Sequence, residues 1–327
     1  MHAWLCSDTT GPGGLRWTEL PTPEPRPDEV RITVRCASLN FPDLLITQGK
    51  YQIKPPLPFV PGCEFSGVID AVGEGVAALR PGQRVAAFAG QGGFATQVSV
   101  PASVVMPLPD AMGFEDAAAF ICTYATTHHA LMDRAALQAG ETVLVLGATG
   151  GVGSAALQVA KAAGARVIAG ASSAAKCELA LRLGADAAID YSTGQLRERL
   201  KELTAGRGPD VIYDPVGGPH AEAAFRSIAW RGRYLVIGFA QGEIPALPLN
   251  LALLKGASIV GVFWGEYARR EPRANAATLA ALADLYGRGQ VKPHLERVLD
   301  MSELPLAFEL MQARQVHGKL VLRNLVA

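Results

Sequence analysis

Gly147, Gly150, Gly151 and Gly153 cluster in the stretch Thr142-Val-Leu-Val-Leu-Gly-Ala-Thr-Gly-Gly-Val-Gly-Ser. A glycine cluster lets a backbone turn tightly and approach a ligand with no Cβ in the way. Val143 to Leu146 are apolar without alternation, as a strand covered on both faces is. A helical pattern follows Gly153, so the glycines sit between a buried strand and a helix N-terminus. Unpaired N–H groups and the positive end of the helix dipole suit a pyrophosphate there. A second strand-like run, Arg166-Val-Ile-Ala-Gly170, comes after that helix. This is the setting of a dinucleotide site rather than of an ordinary turn, and it points to a nucleotide-dependent enzyme.

The second run ends in Gly170-Ala-Ser172-Ser173-Ala-Ala-Lys176. A site for NAD places Asp or Glu about 20 residues past the glycines, to accept from the ribose 2′-hydroxyl. This window holds no acid. Its two hydroxyls and one ammonium suit a 2′-phosphate, so the residues favour NADPH over NADH. A serine that merely caps the next helix, with Lys176 solvated on the first turn, explains the same letters. Both hold at once, because a capping serine can also touch phosphate.

The elements that must position these residues fall into two patterns. Up to about residue 120, short strands alternate with turns: Val30–Arg35 alternates apolar and polar, Gly67–Val72 precedes Gly73-Glu-Gly75, and Gly82–Phe88 precedes Gly90-Gln-Gly-Gly93. Such spacing predicts a small β-barrel or sandwich. Pro21, Pro23, Pro25 and Pro27 make an extended connector. From about 122 to 265, strand and helix alternate. Strands are expected at Val143–Leu146, Arg166–Ala169, Ala187–Ile189, Val211–Tyr213, Tyr234–Ile237 and Ser258–Val262. Helices are expected at Val152–Ala163, Ala175–Leu183, Gln195–Leu203 and His220–Ser227. That alternation predicts a parallel sheet with right-handed crossovers. A helix over Arg273–Arg288 and a final strand at Gly318–Leu322 would return to the first domain.

Composition narrows the function classes. The chain has 327 residues, 30 basic and 30 acidic, with a formal net charge of +0. That gives a nucleic-acid backbone no footing. The start, Met1-His-Ala-Trp-Leu-Cys-Ser-Asp, lacks the pattern of a signal peptide. The longest apolar region, Leu247 to Trp264, is interrupted by Pro248, Asn250 and Lys255 and is too short to span a bilayer. A cytoplasmic protein with no membrane partner is expected. Cys6, Cys36, Cys63, Cys122 and Cys177 stand singly, with no pair spaced for zinc or for a dithiol motif.

The order of strand-rich domain, glycine-rich α/β insert and short return resembles the medium-chain dehydrogenase/reductase superfamily, and within it the zinc-independent NADPH:quinone oxidoreductase branch. The resemblance covers nearly the whole chain. It is carried by Ser38-Leu-Asn40-Phe-Pro-Asp43, Gly49-Lys-Tyr51, Pro58-Phe-Val-Pro-Gly62-Cys-Glu64-Phe-Ser-Gly67, Gly92-Gly-Phe-Ala-Thr96 and the Gly140–Gly153 segment. Leu183-Gly-Ala-Asp186, Asp214-Pro-Val-Gly-Gly218, Gly232-Arg-Tyr-Leu-Val-Ile-Gly238 and His317-Gly-Lys-Leu-Val321 complete it. It implies an α/β fold: a GroES-like β-barrel-type catalytic domain over 1–121, completed by 266–327, and a Rossmann doubly wound parallel sheet over 122–265.

The resemblance also implies roles. Thr149, Gly150, Gly151 and Val152 would hold the pyrophosphate, and Ser172, Lys176 and Tyr191 the 2′-phosphate. Asn40 and Thr126 fall where the family contacts the nicotinamide and its ribose or the substrate. Gly238, Phe239 and Ala240, with Phe263, Trp264 and Gly265, match two loops flanking the nicotinamide, and Tyr51 matches a substrate-cleft aromatic. Zinc-dependent relatives have His at the position of Cys63, and the four-cysteine lobe is missing, so no metal is expected. Some quinone-reductase relatives carry tyrosine at the position of Leu45, so this pocket is more apolar.

Several residues admit two readings. Neighbours on a helix point about 100° apart, so His128 and His129 cannot both face one site. Phe263-Trp264 is either core packing or part of a ligand-facing strand end. Glu64 is either a structural carboxylate or a support for the site, and Tyr51 either a substrate lid or a surface aromatic. The expected chemistry is hydride transfer from NADPH to an electron-poor small molecule. A quinone, an enone or enoyl thioester, and a non-catalytic NADPH sensor or structural role remain as alternatives. The apolar run Ser258–Phe263 would leave an exposed sheet edge, and pairing with its twin predicts a homodimer.

Overall fold

In a computed structural model, which describes residues 1–325, the chain divides into two units. The first comprises Met1–Cys122 together with the chain from Pro293 onward, and the second is Thr123–Lys292.

The first unit begins with a hairpin of β1 (His2–Leu5) and β2 (Arg16–Glu19). Its main elements then follow: β3 (Glu29–Leu39), α1 (Phe41–Thr47), β4 (Glu64–Val72), β5 (Arg84–Phe88), β6 (Gln97–Pro101), β7 (Val105–Pro107) and α2 (Phe114–Ala118). β3 is longer than its alternating stretch suggested, because residues 36–39 are buried on both faces.

The second unit holds α3 (Thr126–His128), β8 (Thr142–Leu146), α4 (Gly151–Ala162), β9 (Arg166–Ala171), α5 (Ala174–Arg182), β10 (Ala187–Asp190) and α6 (Leu196–Leu203). It continues through β11 (Val211–Asp214), α7 (His220–Arg226), β12 (Arg233–Val236), α8 (Leu249–Lys255), β13 (Ser258–Gly261), α9 (Trp264–Arg270) and α10 (Pro272–Gly287). The chain then re-enters the first unit as β14 (Leu295–Asp300), α11 (Leu304–Gln312) and β15 (Lys319–Arg323).

In the second unit the strand order is β10-β9-β8-β11-β12-β13, every pair parallel. The order reverses after β8, so the β8–α4 turn lies at the switch point where open α/β sheets bind ligands. β8 is buried throughout, as its unbroken apolar run requires. The core gathers Leu144, Leu146, Ile168, Ile212, Phe225 and Tyr234.

In the first unit the order is β14-β15-β3-β4-β5-β7, with β6 also on β3. β15 lies antiparallel to the far half of β3, pairing Leu320 with Leu39, while β4 pairs Glu64 with Ser38. These two registers bring the start of β15, the end of β3 and the start of β4 together. Phe65, Phe94 and Phe308 anchor the core behind them.

One boundary differs from expectation. The second unit runs to Lys292 rather than to 265, so α9 and α10 belong to it and only the chain from 293 completes the first. α9 packs on α10, and the Tyr267 ring of α9 stacks on that of His129 at 4.0 Å.

Candidate functional site

The glycine turn of the second unit is built for close approach. Gly147 has φ +58°, and a Cβ on Gly153 would stand 2.2 Å from the Gly147 carbonyl oxygen. Helix α4 therefore seats directly on the turn. Gly150 caps α4 with no side-chain hydrogen bond, and no acid lies in its first turn. Helix-end N–H groups without a side-chain acceptor, next to bare backbone, fit a pyrophosphate.

At the end of β9 the second expected feature is in place. Ser173 caps α5 by accepting the Lys176 N–H at 3.3 Å, and the Lys176 ammonium donates to the exposed Ser172 hydroxyl at 3.3 Å. The cap and the phosphate-suited pair thus coexist, on Ser173 and Ser172 respectively. Tyr191 is buried, its ring 4.3 Å from that of His220, and Gly170 leaves room for it. It therefore packs in the core instead of lying over an exposed surface.

Other expected contacts of this unit vary in exposure. Thr149 is buried and Thr126 half-buried; the adjacent Thr127 hydroxyl meets the Tyr213 hydroxyl at 3.0 Å. Gly238 and Phe239 line a cavity of about 240 Å³ with Tyr234, Ile244, Leu247 and Ile259, while Ala240 is exposed. Phe263 is exposed, Gly265 half-buried, and Trp264 buried at the first position of α9. His129 is buried, 2.9 Å from Asp133 and stacked on Tyr267 at 4.0 Å, whereas His128 is only half-buried. Burial pushes both imidazoles below the usual range.

The first unit holds a polar cluster inside an otherwise apolar core. Ser38 ends β3, Asn40 precedes α1, Cys63 and Glu64 open β4, and Lys319 opens β15. The Glu64 carboxylate accepts from the Ser38 hydroxyl at 2.9 Å, the Asn40 amide at 3.2 Å and the Cys122 backbone N–H at 2.8 Å. The Lys319 ammonium donates to Leu39 O at 3.2 Å and to Asn40 Oδ1, and lies 3.6 Å from Glu64. Asp43 accepts the N–H groups of Asn40 at 2.8 Å and Cys63 at 3.0 Å. Every one of these side chains is buried, so each charge is hydrogen-bonded as the low dielectric demands.

Burial raises the Asp43 carboxyl to about 6, against the hydrogen bonds from Asn40 and Cys63 that favour its ionised form. The Cys63 thiol is pushed well up by its hydrogen bond to Cys122 and by burial. Half-buried Tyr51 is raised to about 12 by burial, then by Cys122, Cys63 and Asp43. Its phenol keeps its proton at neutral pH and is a hydrogen-bond donor. Glu64 is a structural carboxylate, its oxygens occupied by three donors. Sequence reading assigned no role to Lys319, Asp43 or Cys122. The Gly-Lys-Leu-Val segment was visible, but nothing local tells that its lysine is buried. Among the described residues, no group of three or more His, Cys, Asp and Glu side chains is arranged to hold a metal ion, and no helix is long and apolar enough to cross a membrane.

Comparisons with known proteins agree with this architecture. Residues 26–110 match the alcohol dehydrogenase GroES-like domain, and residues 151–281 match the zinc-binding dehydrogenase family. Quinone oxidoreductase-like protein 2 of Bos taurus is 37% identical over 98% of this chain and 92% of its own length. The quinone oxidoreductase of Thermus thermophilus, solved alone and with NADPH, superposes with a TM-score of 0.86 at 35% identity, covering 99% of this chain and 100% of that one. The Escherichia coli quinone oxidoreductase complexed with NADPH gives a TM-score of 0.91 at 28% identity, covering 99% and 100%.

Proposed function

Because the chain belongs to the medium-chain dehydrogenase/reductase superfamily, in its quinone oxidoreductase branch, we propose that it is an NADPH-dependent reductase of quinones. The observation that carries the cofactor half is the acid-free end of β9, where the Lys176 ammonium donates to Ser172, together with the N-terminus of α4, which has no side-chain cap. NADPH would lie on Thr149, Gly150, Gly151 and Val152, with its 2′-phosphate at Ser172 and Lys176. Gly238, Phe239 and Ala240, with Phe263, Trp264 and Gly265, would flank the nicotinamide, and Tyr191 supports the 2′-phosphate pocket from the core. The bound cofactor supplies the hydride, from its nicotinamide C4.

The chain's own residues orient and protect. Asn40 and Thr126 would fix the nicotinamide end, and Tyr51, protonated at neutral pH, offers a hydrogen bond to a substrate oxygen that gains negative charge. A conjugated acceptor spreads that charge and needs no strong polarising group, which supports a quinone. The names of these relatives, quinone oxidoreductases, support the same acceptor.

The test is NADPH oxidation by the purified protein with a para-quinone and an enone side by side, NADH serving as the cofactor control. Turnover with the quinone supports the proposal. Preference for the enone moves the function to double-bond reduction, and NADPH binding without turnover moves it to a sensor.

The reading extends to a cytoplasmic homodimer. β13 is an edge strand with Ile259 exposed, and Leu249, Leu253 and Leu254 of α8 are exposed nearby in the sequence. Pairing β13 with its twin would continue the sheet across a two-fold axis. A monomer mass by light scattering at micromolar concentration would reject the dimer.

A further inference from the structure

We propose that Cys63 and Cys122 are a peroxide-sensitive thiol pair: Cys122 is oxidised first, and Cys63 then closes a disulfide on it. Both belong to the first unit. The proposal does not rest on the NADPH-dependent reading above, which uses neither thiol.

The two cysteines come from distant segments, one just before β4 and one beyond α2, and carboxylates hold both main chains. Glu64 Oε1 accepts the Cys122 backbone N–H at 2.8 Å, which pins Cys122 to the residue that follows Cys63. Asp43 Oδ1 accepts the Cys63 backbone N–H at 3.0 Å. Between these anchors the side chains meet, and the two thiols are hydrogen-bonded to each other. A disulfide asks for close main chains and converging side chains, and this pair has both. The other cysteines are set apart from it. Cys6 donates to Asp8 O at 3.0 Å, Cys36 pairs with Arg323 across the β15–β3 ladder, and Cys177 lies on α5 of the second unit.

The two thiols differ in access, which sets the order of events. Cys63 is 1% exposed, whereas Cys122 is half-buried. A small oxidant in solution therefore meets Cys122. Cys63 holds its proton tightly, because its contact with Cys122 and its burial push it up. To act as a nucleophile it must give that proton away. Asp43 is the acceptor: the Cys63 thiol donates to its Oδ2, 3.6 Å from the sulphur.

The steps balance with one peroxide as oxidant. The Cys122 sulphur attacks it, the O–O bond breaks, and the thiol proton leaves with the departing hydroxide as water, giving a sulfenic acid. The Cys63 sulphur then attacks the Cys122 sulphur while its proton passes to Asp43. The S–O bond breaks, and hydroxide leaves and recovers that proton as a second water. Two thiols lose two electrons and gain one S–S bond. The second step is fast because it is intramolecular, and a reachable cysteine beside a resolving one is the arrangement of a redox sensor.

The experiment treats the full chain with equimolar hydrogen peroxide, blocks free thiols with iodoacetamide and maps tryptic peptides by mass. Arg84 lies between the two cysteines, so trypsin leaves them on separate peptides. The expected main product is a Cys63–Cys122 linked pair that dithiothreitol separates again. Sulfinic acid on Cys122 without a link, or a link made only through other cysteines, would overturn the pairing. Cys63→Ala is expected to stop at a Cys122 sulfenic acid that dimedone traps, and Cys122→Ala to leave Cys63 reduced. Oxidation of Cys63 in Cys122→Ala at the wild-type rate would overturn the order. Asp43→Asn is expected to prolong the dimedone-reactive stage at least about tenfold; an unchanged lifetime would remove Asp43 as the proton acceptor. If a variant does not fold, the wild-type peptide map decides the pairing by itself.

Discussion

Asp43 holds Cys63 at two points: Oδ1 accepts the Cys63 backbone N–H at 3.0 Å, and Oδ2 lies 3.6 Å from the Cys63 sulphur. Both residues are buried, and the first turn of α1 is thereby tied to the start of β4. Burial raises the Asp43 carboxyl from its ordinary 3.8 to about 6. A folded-state value above the unfolded one means that the native protein binds this proton more tightly. Its contribution is therefore full below about pH 4 and is lost as the pH rises through about 6. A shift of that size corresponds to about 3 kcal/mol. Urea midpoints for the wild type and Asp43→Asn should show the wild type losing about this much relative to the variant between pH 4 and 7. Parallel pH profiles would remove Asp43 as the cause.

Gly153→Ala should damage the turn that Gly147 begins. The added Cβ would meet the Gly147 carbonyl oxygen at 2.2 Å and the Ala148 Cα at 2.9 Å. Both are backbone, so α4 or the turn must move. The expected cost is about 1–3 kcal/mol, as for overpacking elsewhere, together with weaker NADPH binding. A variant with a wild-type denaturation midpoint and wild-type NADPH affinity would show that the turn tolerates the displacement.

These two sites were unequally legible in the sequence. The Gly147–Gly153 turn is local: its strand, glycines and helix are consecutive, and periodicity with glycine punctuation marks each boundary to within a residue or two. The Asn40 cluster is assembled by pairing between segments far apart in the chain. Lys319 stands at the head of an apolar run and looks like a solvated edge lysine until β15 is laid against β3. Glu64 had two readings, and the Ser38 and Cys122 donors that decide for structure come from β3 and from beyond α2. The domain boundary was misplaced for a similar reason. The last sheet strand ends at Gly261, yet two more helices stay with that unit, held in part by the Tyr267 ring of α9 stacked on His129. Tyr191 is expected over the cofactor phosphate, but its tilted contact with the His220 ring depends on how α7 packs, and the pattern that marks α7 as a helix does not show what it packs against.

Tyr234 donates its hydroxyl to Asp214 Oδ2, and Asp214 Oδ1 accepts the N–H groups of Val216 at 2.8 Å and Gly217 at 2.9 Å. Burial, then the Asp214 charge, pushes the phenol far above its usual range, so it stays protonated and donating. Tyr234→Phe would keep the ring packed edge-on against Phe225, now at 5.5 Å, and strip one donor from a buried carboxylate. The expected loss is about 1–3 kcal/mol. The urea midpoint should fall with an unchanged slope, since the surface exposed on unfolding is the same. A midpoint equal to the wild type would mean that another donor reaches Asp214.

Lys176→Ala separates the two nicotinamide cofactors. The Lys176 ammonium donates to the Ser172 hydroxyl at 3.3 Å, and the N–H that Ser173 caps belongs to the same lysine. Removing the side chain leaves the backbone cap intact, so α5 should keep its stability. What is lost is one positive charge beside the proposed 2′-phosphate, and NADH has no phosphate there to notice. The NADPH Kd should rise about tenfold at low salt and by less as salt is added, because the ammonium is partly exposed and screened. The NADH Kd should stay where it was. An equal rise for both cofactors would place the effect in the fold of the β9–α5 turn, and no rise for either would remove Lys176 from the phosphate site.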